Sequence, residues 1–395
     1  MTRYEAYVEI ADDGLCLIHV PALPGCIARA PTRHEAWRQL PQAIRDYHAW
    51  LRRHGESAPG DDPIEIDLAA EYSGIGPFDP GDAAALLPPD REPLTLEEME
   101  RHFRLMGHAR AALLALTQHL PADLLDWQPD AGSFTIRRLL RHVGNAEEWY
   151  VSRLVRPDTL PPEWEGDEDL PVFEFLAMER RTAVARLRQL TSEEQSGVFH
   201  PSTWTTHPDE AWTARKALRR ALEHEREHTA QVREILAAYR ANLLVHLAAE
   251  RKRLLARLEG LDERALTQSP VFEEWTARDV LAHIAAWDRW EDQAMRSMVA
   301  GEEPDFAAVQ DIDGANAAFV AAWRERSWSD VLEELHAARA DWVAWLESLS
   351  LEEFFRPRSH GGYDWSFYTS PLPIQWQHDA EHADQLAAWR DAEGL

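Results

Sequence analysis

Apolar and polar residues alternate through the start of the chain, first over Tyr4-Glu5-Ala6-Tyr7-Val8-Glu9-Ile10 and again over Leu15-Cys16-Leu17-Ile18-His19-Val20. That two-residue period is the mark of half-buried strands. Asp12-Asp13-Gly14 between them predicts a hairpin, since Gly accepts the positive φ of a tight turn. Pro24-Gly25 breaks the chain before a third strand at Cys26-Ile27-Ala28. Thr32 with Glu35 fits a capping box that opens a helix over Arg33 to Arg53, with a kink expected at Pro41. Ile64-Glu65-Ile66-Asp67-Leu68 alternates again. Residues 1–73 are therefore read as a small β-β-β-α-β module, and the Gly- and Pro-punctuated residues 74–93 as a linker or irregular loop.

Beyond the linker the period lengthens to three and four residues, predicting helices over Leu94 to Leu120, Leu139 to Leu154, Val172 to Leu190 and Trp212 to Tyr239. The pattern restarts with Leu243 to Leu258, Thr276 to Met298, Asp313 to Trp323 with Val331 to Leu349, and Ile374 to Trp389. The restart is an internal repeat. At an offset of 141 and without a gap, 11 of 37 positions from Leu113 to Trp149 recur from Leu254 to Trp290, among them Thr135/Thr276, Arg137/Arg278 and His142/His283. Further on the offset is 154, and His224, His228 and Gln231 fall on His378, His382 and Gln385. The expectation is a multidomain α+β chain. The N-terminal module precedes two up-down four-helix bundles, residues 94–240 and 241–395.

Each copy carries one His on its second helix and a His-x-x-x-His pair on its last. Residues four apart lie on one helix face, so both imidazoles reach a single ion, and a third from a facing helix completes three nitrogen ligands. Three protein ligands with open positions describe a catalytic rather than a structural metal centre. His142, His224 and His228 form one candidate ligand set, and His283, His378 and His382 the other. Zn(II) is the default, with Ni(II) and Fe(II) as alternatives that imidazole suits. Gln231 and Gln385 share the ligand stripe as candidates to hydrogen-bond a bound cofactor or ligand, and Glu227 and Glu381 as candidates to orient an imidazole. His224 to His228 also spells His-Glu-x-x-His, the zinc-protease signature, but the second copy reads His-Asp-x-x-His and lacks that catalytic Glu. No catalytic side chain stands out beyond the ligands. Trp127, Trp149, Trp204 and Trp212, with Trp275, Trp287, Trp290, Trp365 and Trp376, are candidates to line an apolar cleft, against the plainer reading that they fill the bundle cores.

Composition narrows the partners. Lys and Arg number 41 against 69 Asp and Glu, a net charge of −28, which argues against nucleic acid and anionic membranes. The N-terminus lacks the apolar run of a signal peptide and there is no membrane-spanning run, so a soluble cytoplasmic location is expected. The two cysteines, Cys16 and Cys26, are too few for a disulfide scaffold, and Cys26 reads as a packed small residue.

The stretch Pro21-Ala22-Leu23-Pro24-Gly25-Cys26 followed by Thr32 and Glu35-Ala36 resembles the HicB antitoxin-like domain over roughly the first 70 residues. The resemblance implies a protein partner for the module; DNA contact in that family comes from a separate appended domain that this sequence does not show. The Thr-x-Arg-x-(Leu/Val)-Leu-x-His runs at Thr135 to His142 and Thr276 to His283, each followed by His-x-x-x-His, resemble the DinB-like superfamily of four-helix-bundle metalloenzymes, also called YfiT-like, over Leu94 to Trp389. Such proteins include transferases dependent on bacillithiol or mycothiol and a thiol-dependent isomerase. The resemblance implies a divalent metal, a low-molecular-weight thiol as co-substrate and a small electrophile. A metal-bound thiolate needs no protein nucleophile, which fits a chain whose cysteines lie outside both bundles. The alternative is a non-catalytic stress-response or interaction protein whose HicB-like module recruits a partner. Because such bundles commonly dimerise between chains, the two copies are expected to pack as an internal pseudo-dimer.

Overall fold

The computed structural model describes residues 1–60, 62–73, 85–165, 169–200, 204–205, 209–360 and 363–395. Two compact units divide the chain, Met1–Ile235 and Leu236–Leu395.

The first unit opens with strands β1 Thr2–Ile10, β2 Cys16–His19 and β3 Ile27–Ala30, helix α1 Arg33–Arg53, and strand β4 Ile64–Ser73. The sheet order is β3-β2-β1-β4, with antiparallel β1–β2 and β2–β3 pairs and β4 parallel to β1. Gly14 holds φ at +90° in the hairpin and Gly25 at +92° in the turn before β3, conformations closed to most side chains. Thr32 caps α1 as expected, accepting from the Glu35 amide, and the helix continues through Pro41. β4 runs five residues past the predicted Leu68, because its pairing with β1 extends to Ile10–Ser73.

Four long helices come next: α2 Leu96–Thr117, α3 Ile136–Ser152, α4 Val172–Arg188 and α5 Ala214–Ala256. The sequence predicts two helices where α5 is one. Arg240-Ala241-Asn242 contains neither Gly nor Pro, so nothing in it interrupts the hydrogen-bond ladder. The division between the units falls inside this helix. Module and first bundle share a core, in which Val8, Ile18, Leu40 and Ile44 join Met106, Leu218 and Leu222.

Buried charge reinforces that junction. His19 is held between Glu9 (3.2 Å) and Glu223 of α5 (3.1 Å), and Arg219 reaches Asp90 (2.7 Å) and Glu223 (3.0 Å). Burial opposes a charged imidazole, yet the two carboxylates raise its affinity for protons. Arg226 donates to the Gly25 carbonyl (2.9 Å) and lies over Tyr47 and Trp50. Residues 74–84 of the expected linker lie outside the described residues. The remainder of that stretch is packed rather than loose: Leu87 and Asp90 are buried around a short 3-10 turn, Pro88–Arg91.

The second unit takes the rest of α5 with α6 Ala277–Ala300, α7 Ile312–Trp323, α8 Trp328–Ser348 and α9 Pro371–Glu393. Its core gathers Leu254, Val280, Ile284, Val331, Leu335 and Leu386. Among the described residues no helix is long and apolar enough to cross a membrane.

Candidate metal centres

The repeated Thr and His are linked by helix geometry. Thr135 caps α3 by accepting from the Arg138 amide, and Thr276 caps α6 by accepting from the Asp279 amide. Each cap fixes where its helix begins, and His142 and His283 then stand seven residues on, two turns along the same face. His224 and His228 face His142 from α5; His378 and His382 face His283 from α9.

In the first unit His224 Nε2 lies 3.0 Å from both His142 Nε2 and His228 Nε2. In the second, His378 Nε2 lies 2.9 Å from His283 Nε2 and 3.1 Å from His382 Nε2. Within each triad the three nitrogens lie inside 4.8 Å of one another. Nitrogens bound at about 2.0–2.1 Å to one ion stand roughly 3 Å apart, so this spacing suits a shared metal. The tautomers fit too. Gln231 Oε1 accepts from His228 Nδ1 at 2.7 Å, and Gln385 Oε1 from His382 Nδ1 at 2.8 Å. With the proton held on Nδ1, Nε2 turns a bare lone pair toward its neighbours, the state a metal ligand requires.

Burial also favours the neutral form of five of the rings. It drives His224 well below the usual imidazole range, helped by His228 and His142, and it lowers His228 to about 4. His283 falls to about 3, through burial first and His382 second, and His378 and His382 are lowered as well.

The structure thus brings all six predicted histidines into two triads, with Gln231 and Gln385 each on the third ring. Glu227, a candidate to orient an imidazole, faces Arg220 instead (3.4 Å), and the orienting contact comes from the glutamine. The tryptophans divide. Trp275 and Trp287 flank His283 at 5.1 and 6.4 Å, and Trp290 adjoins Trp287. Trp212 is core, packed on Trp149 and Tyr150, and Tyr150 meets His224. Trp149 donates to the Trp204 carbonyl, Trp127 is half-buried in the loop before α3, and Trp365 and Trp376 pack on Phe367 and His246. Cys26 is buried and its thiol is pushed up to about 12, consistent with a packing role.

Sequence reasoning missed a second repeated feature. In the first unit Arg110 and Arg180 each bind both Glu147 and Glu225, in contacts of 2.5–2.7 Å. In the second, Arg251 and Arg339 each bind both Asp288 and Asp379, at 2.8–3.1 Å. Glu225 and Asp379 directly follow the histidines His224 and His378, so each quartet anchors the helix turn that carries two ligands. The signal was present in the repeat: Arg110/Arg251 and Glu147/Asp288 are 141 apart, and Glu225/Asp379 are 154 apart. Glu225 is the Glu of the His-Glu-x-x-His match. Its carboxylate is consumed by two guanidiniums, which removes it as the free general base that proteolysis needs.

The model of the DinB superfamily matches residues 106–232 and 246–386. A UPF0150 protein of Thermoplasma acidophilum is 37% identical over 68 residues, 17% of this chain and 99% of that protein, which bears out the HicB-like reading of the N-terminal module. Among solved structures, YfiT from Bacillus subtilis, described as a probable metal-dependent hydrolase with an unusual four-helix bundle topology, matches at 21% identity and a TM-score of 0.28. That match covers 41% of this chain and 93% of that one.

Proposed function

We propose that this chain, which belongs to the DinB superfamily, is a metal-dependent enzyme with two centres, His142/His224/His228 and His283/His378/His382, acting as a thiol-dependent S-transferase or a hydrolase on a small electrophile. The observation that carries the reading is the convergence of three Nε2 atoms in each bundle, one of them held as a bare lone pair by a glutamine. Zn(II) is the metal the all-imidazole set favours first, ahead of Ni(II) and Fe(II). Bound there, a divalent ion supplies the Lewis acidity that converts a thiol or water into a nucleophile at neutral pH. The chain's own residues do the rest. Gln231 and Gln385 hold the ring tautomers, the buried quartets hold the ligand-bearing turns, and Trp275 and Trp287 flank His283 of the second triad.

Metal analysis of the purified chain after supplementation tests the reading, with about two equivalents expected and none after replacing His224 and His378 together with Ala. Full occupancy in that double variant refutes the ligand assignment. Absence of transition metal from the unaltered chain favours the alternative of a non-catalytic protein whose HicB-like module recruits a partner. Where metal is present, turnover of a thiol with a model electrophile checks the reaction.

A further inference from the structure

The two centres share ligands but not surroundings. A pocket of about 400 Å³ in the second unit is lined by His283 and His378 together with Trp287, Glu291, Gln375 and Glu381. Among the described residues lining it there is no Lys or Arg. Arg251 and Arg339, whose charges act on His378, are committed to Asp288 and Asp379. Gln375 is 2% exposed and its Oε1 has no hydrogen-bond partner among the described residues, an acceptor left for a ligand. The indole of Trp287 donates to Asn316 Oδ1 (2.9 Å), which fixes its ring as a wall of the pocket.

We propose that this pocket selects a thiol bearing a cationic ammonium group, held by Glu291 and Gln375 against the Trp287 ring. The inference rests on the metal-and-thiol reading above and adds to it the charge of the co-substrate. Carboxylates and an amide carbonyl attract a cation and repel an anion, and an indole face favours a cation as well. Burial, with Asp288 nearby, pushes the Glu291 carboxyl up to about 7, a shift that a cation bound beside it would oppose. The repeat supplies a control. The positions matching Glu291, Gln375 and Trp287 in the first unit are Tyr150, Ala221 and Ala146, and Tyr150 is buried against Trp212 and His224. The first centre therefore lacks these determinants.

The experiment uses the full chain loaded with Co(II), with thiolate binding read from the sulfur-to-cobalt charge-transfer absorption. Three small thiols of similar size are titrated: neutral 2-mercaptoethanol, 2-mercaptoethyl-trimethylammonium, whose nitrogen cannot chelate, and 2-mercaptoethanesulfonate. In the H224A/H228A chain, which retains the second centre, the ammonium thiol is expected to bind about tenfold or more tighter than the sulfonate, the effect of one charge-assisted contact. In E291Q on that background the ratio should fall to within about twofold, and Q375L should lower it as well, which provides a second reading if E291Q takes up metal poorly. The H378A/H382A chain, retaining the first centre, where Arg29 and Arg220 act on His228, should show no preference for the ammonium thiol. An equal affinity for the two charged thiols at the second centre, or a preference undiminished in both E291Q and Q375L, overturns the inference while leaving the metal-and-thiol reading intact. Failure to take up Co(II), or no charge-transfer band even with 2-mercaptoethanol, refutes that underlying reading and the inference with it.

Discussion

Asp379→Asn is the most direct test of the buried quartet. Asp379 is fully buried and accepts from Arg251 at 3.0–3.2 Å and from Arg339 at 3.1 Å, while Asp288 takes the other side of the same two guanidiniums. The change preserves volume but leaves two buried cations facing one anion. It also turns amide hydrogens toward groups that can only donate. Removing one partner from a buried pair costs about 3–5 kcal/mol, because the remaining charge stays desolvated. For a unit of this size roughly 2–4 °C of melting temperature accompanies each kcal/mol, so the second unit should melt about 6–20 °C earlier. Calorimetry on chelator-treated protein reads this without metal linkage, and Glu225→Gln should shift the first unit's transition by a similar amount. Replacing all four residues of the second quartet by Leu and Met should recover most of the loss, since an all-apolar substitute for a buried charge cluster is often neutral or better. A melting temperature for Asp379→Asn within about 2 °C of the parent would falsify the claim that the quartet is a mutually dependent buried network.

Replacing Gln231 or Gln385 with Leu removes the acceptor that pins Nδ1–H of His228 or His382, and metal affinity at that centre should fall about 10–100-fold, read by competition against a chromogenic chelator; unchanged affinity would show that the tautomer is set otherwise. Gly144→Ala places a Cβ 2.1 Å from Phe175 Cε1 across the α3–α4 contact, so denaturant melts should show a loss of about 1–3 kcal/mol; a neutral result would mean that Phe175 yields freely. Burial holds His224, His228, His283, His378 and His382 below their ordinary value, so the folded metal-free chain resists a protonation that the unfolded chain accepts. The contribution of these histidines to stability should be full above about pH 6.5 and decline as pH falls from there toward about 4, where His228 takes its proton. Urea midpoints that stay level between pH 7.5 and 5 would contradict this.

Those features that depend on one element were legible in the chain, and those that depend on two distant elements were not. Thr32 announces a helix start because a cap and its helix are neighbours in sequence, and His224 with His228 announces a shared face through a spacing of four. Glu147 and Arg110 carry no local signal of burial, because a charged side chain is buried only when a partner compensates it, and the partners lie 37 and 115 residues apart. His19 likewise sits on an alternating strand whose pattern says nothing of Glu223. Gln231 was on the right stripe, but whether its carbonyl meets a ligand or the ring three residues back is decided by a rotamer. The internal repeat turns this limit into evidence. Ligands, glutamines and quartets recur in both copies although Glu becomes Asp within the quartet, which marks them as the parts that hold the centre together. Glu291 and Gln375 stand where the first copy has Tyr150 and Ala221. If the shared positions build the centre, the differing ones beside it are where the two can part in what they admit, and the thiol titrations of the two single-centre chains compare them directly.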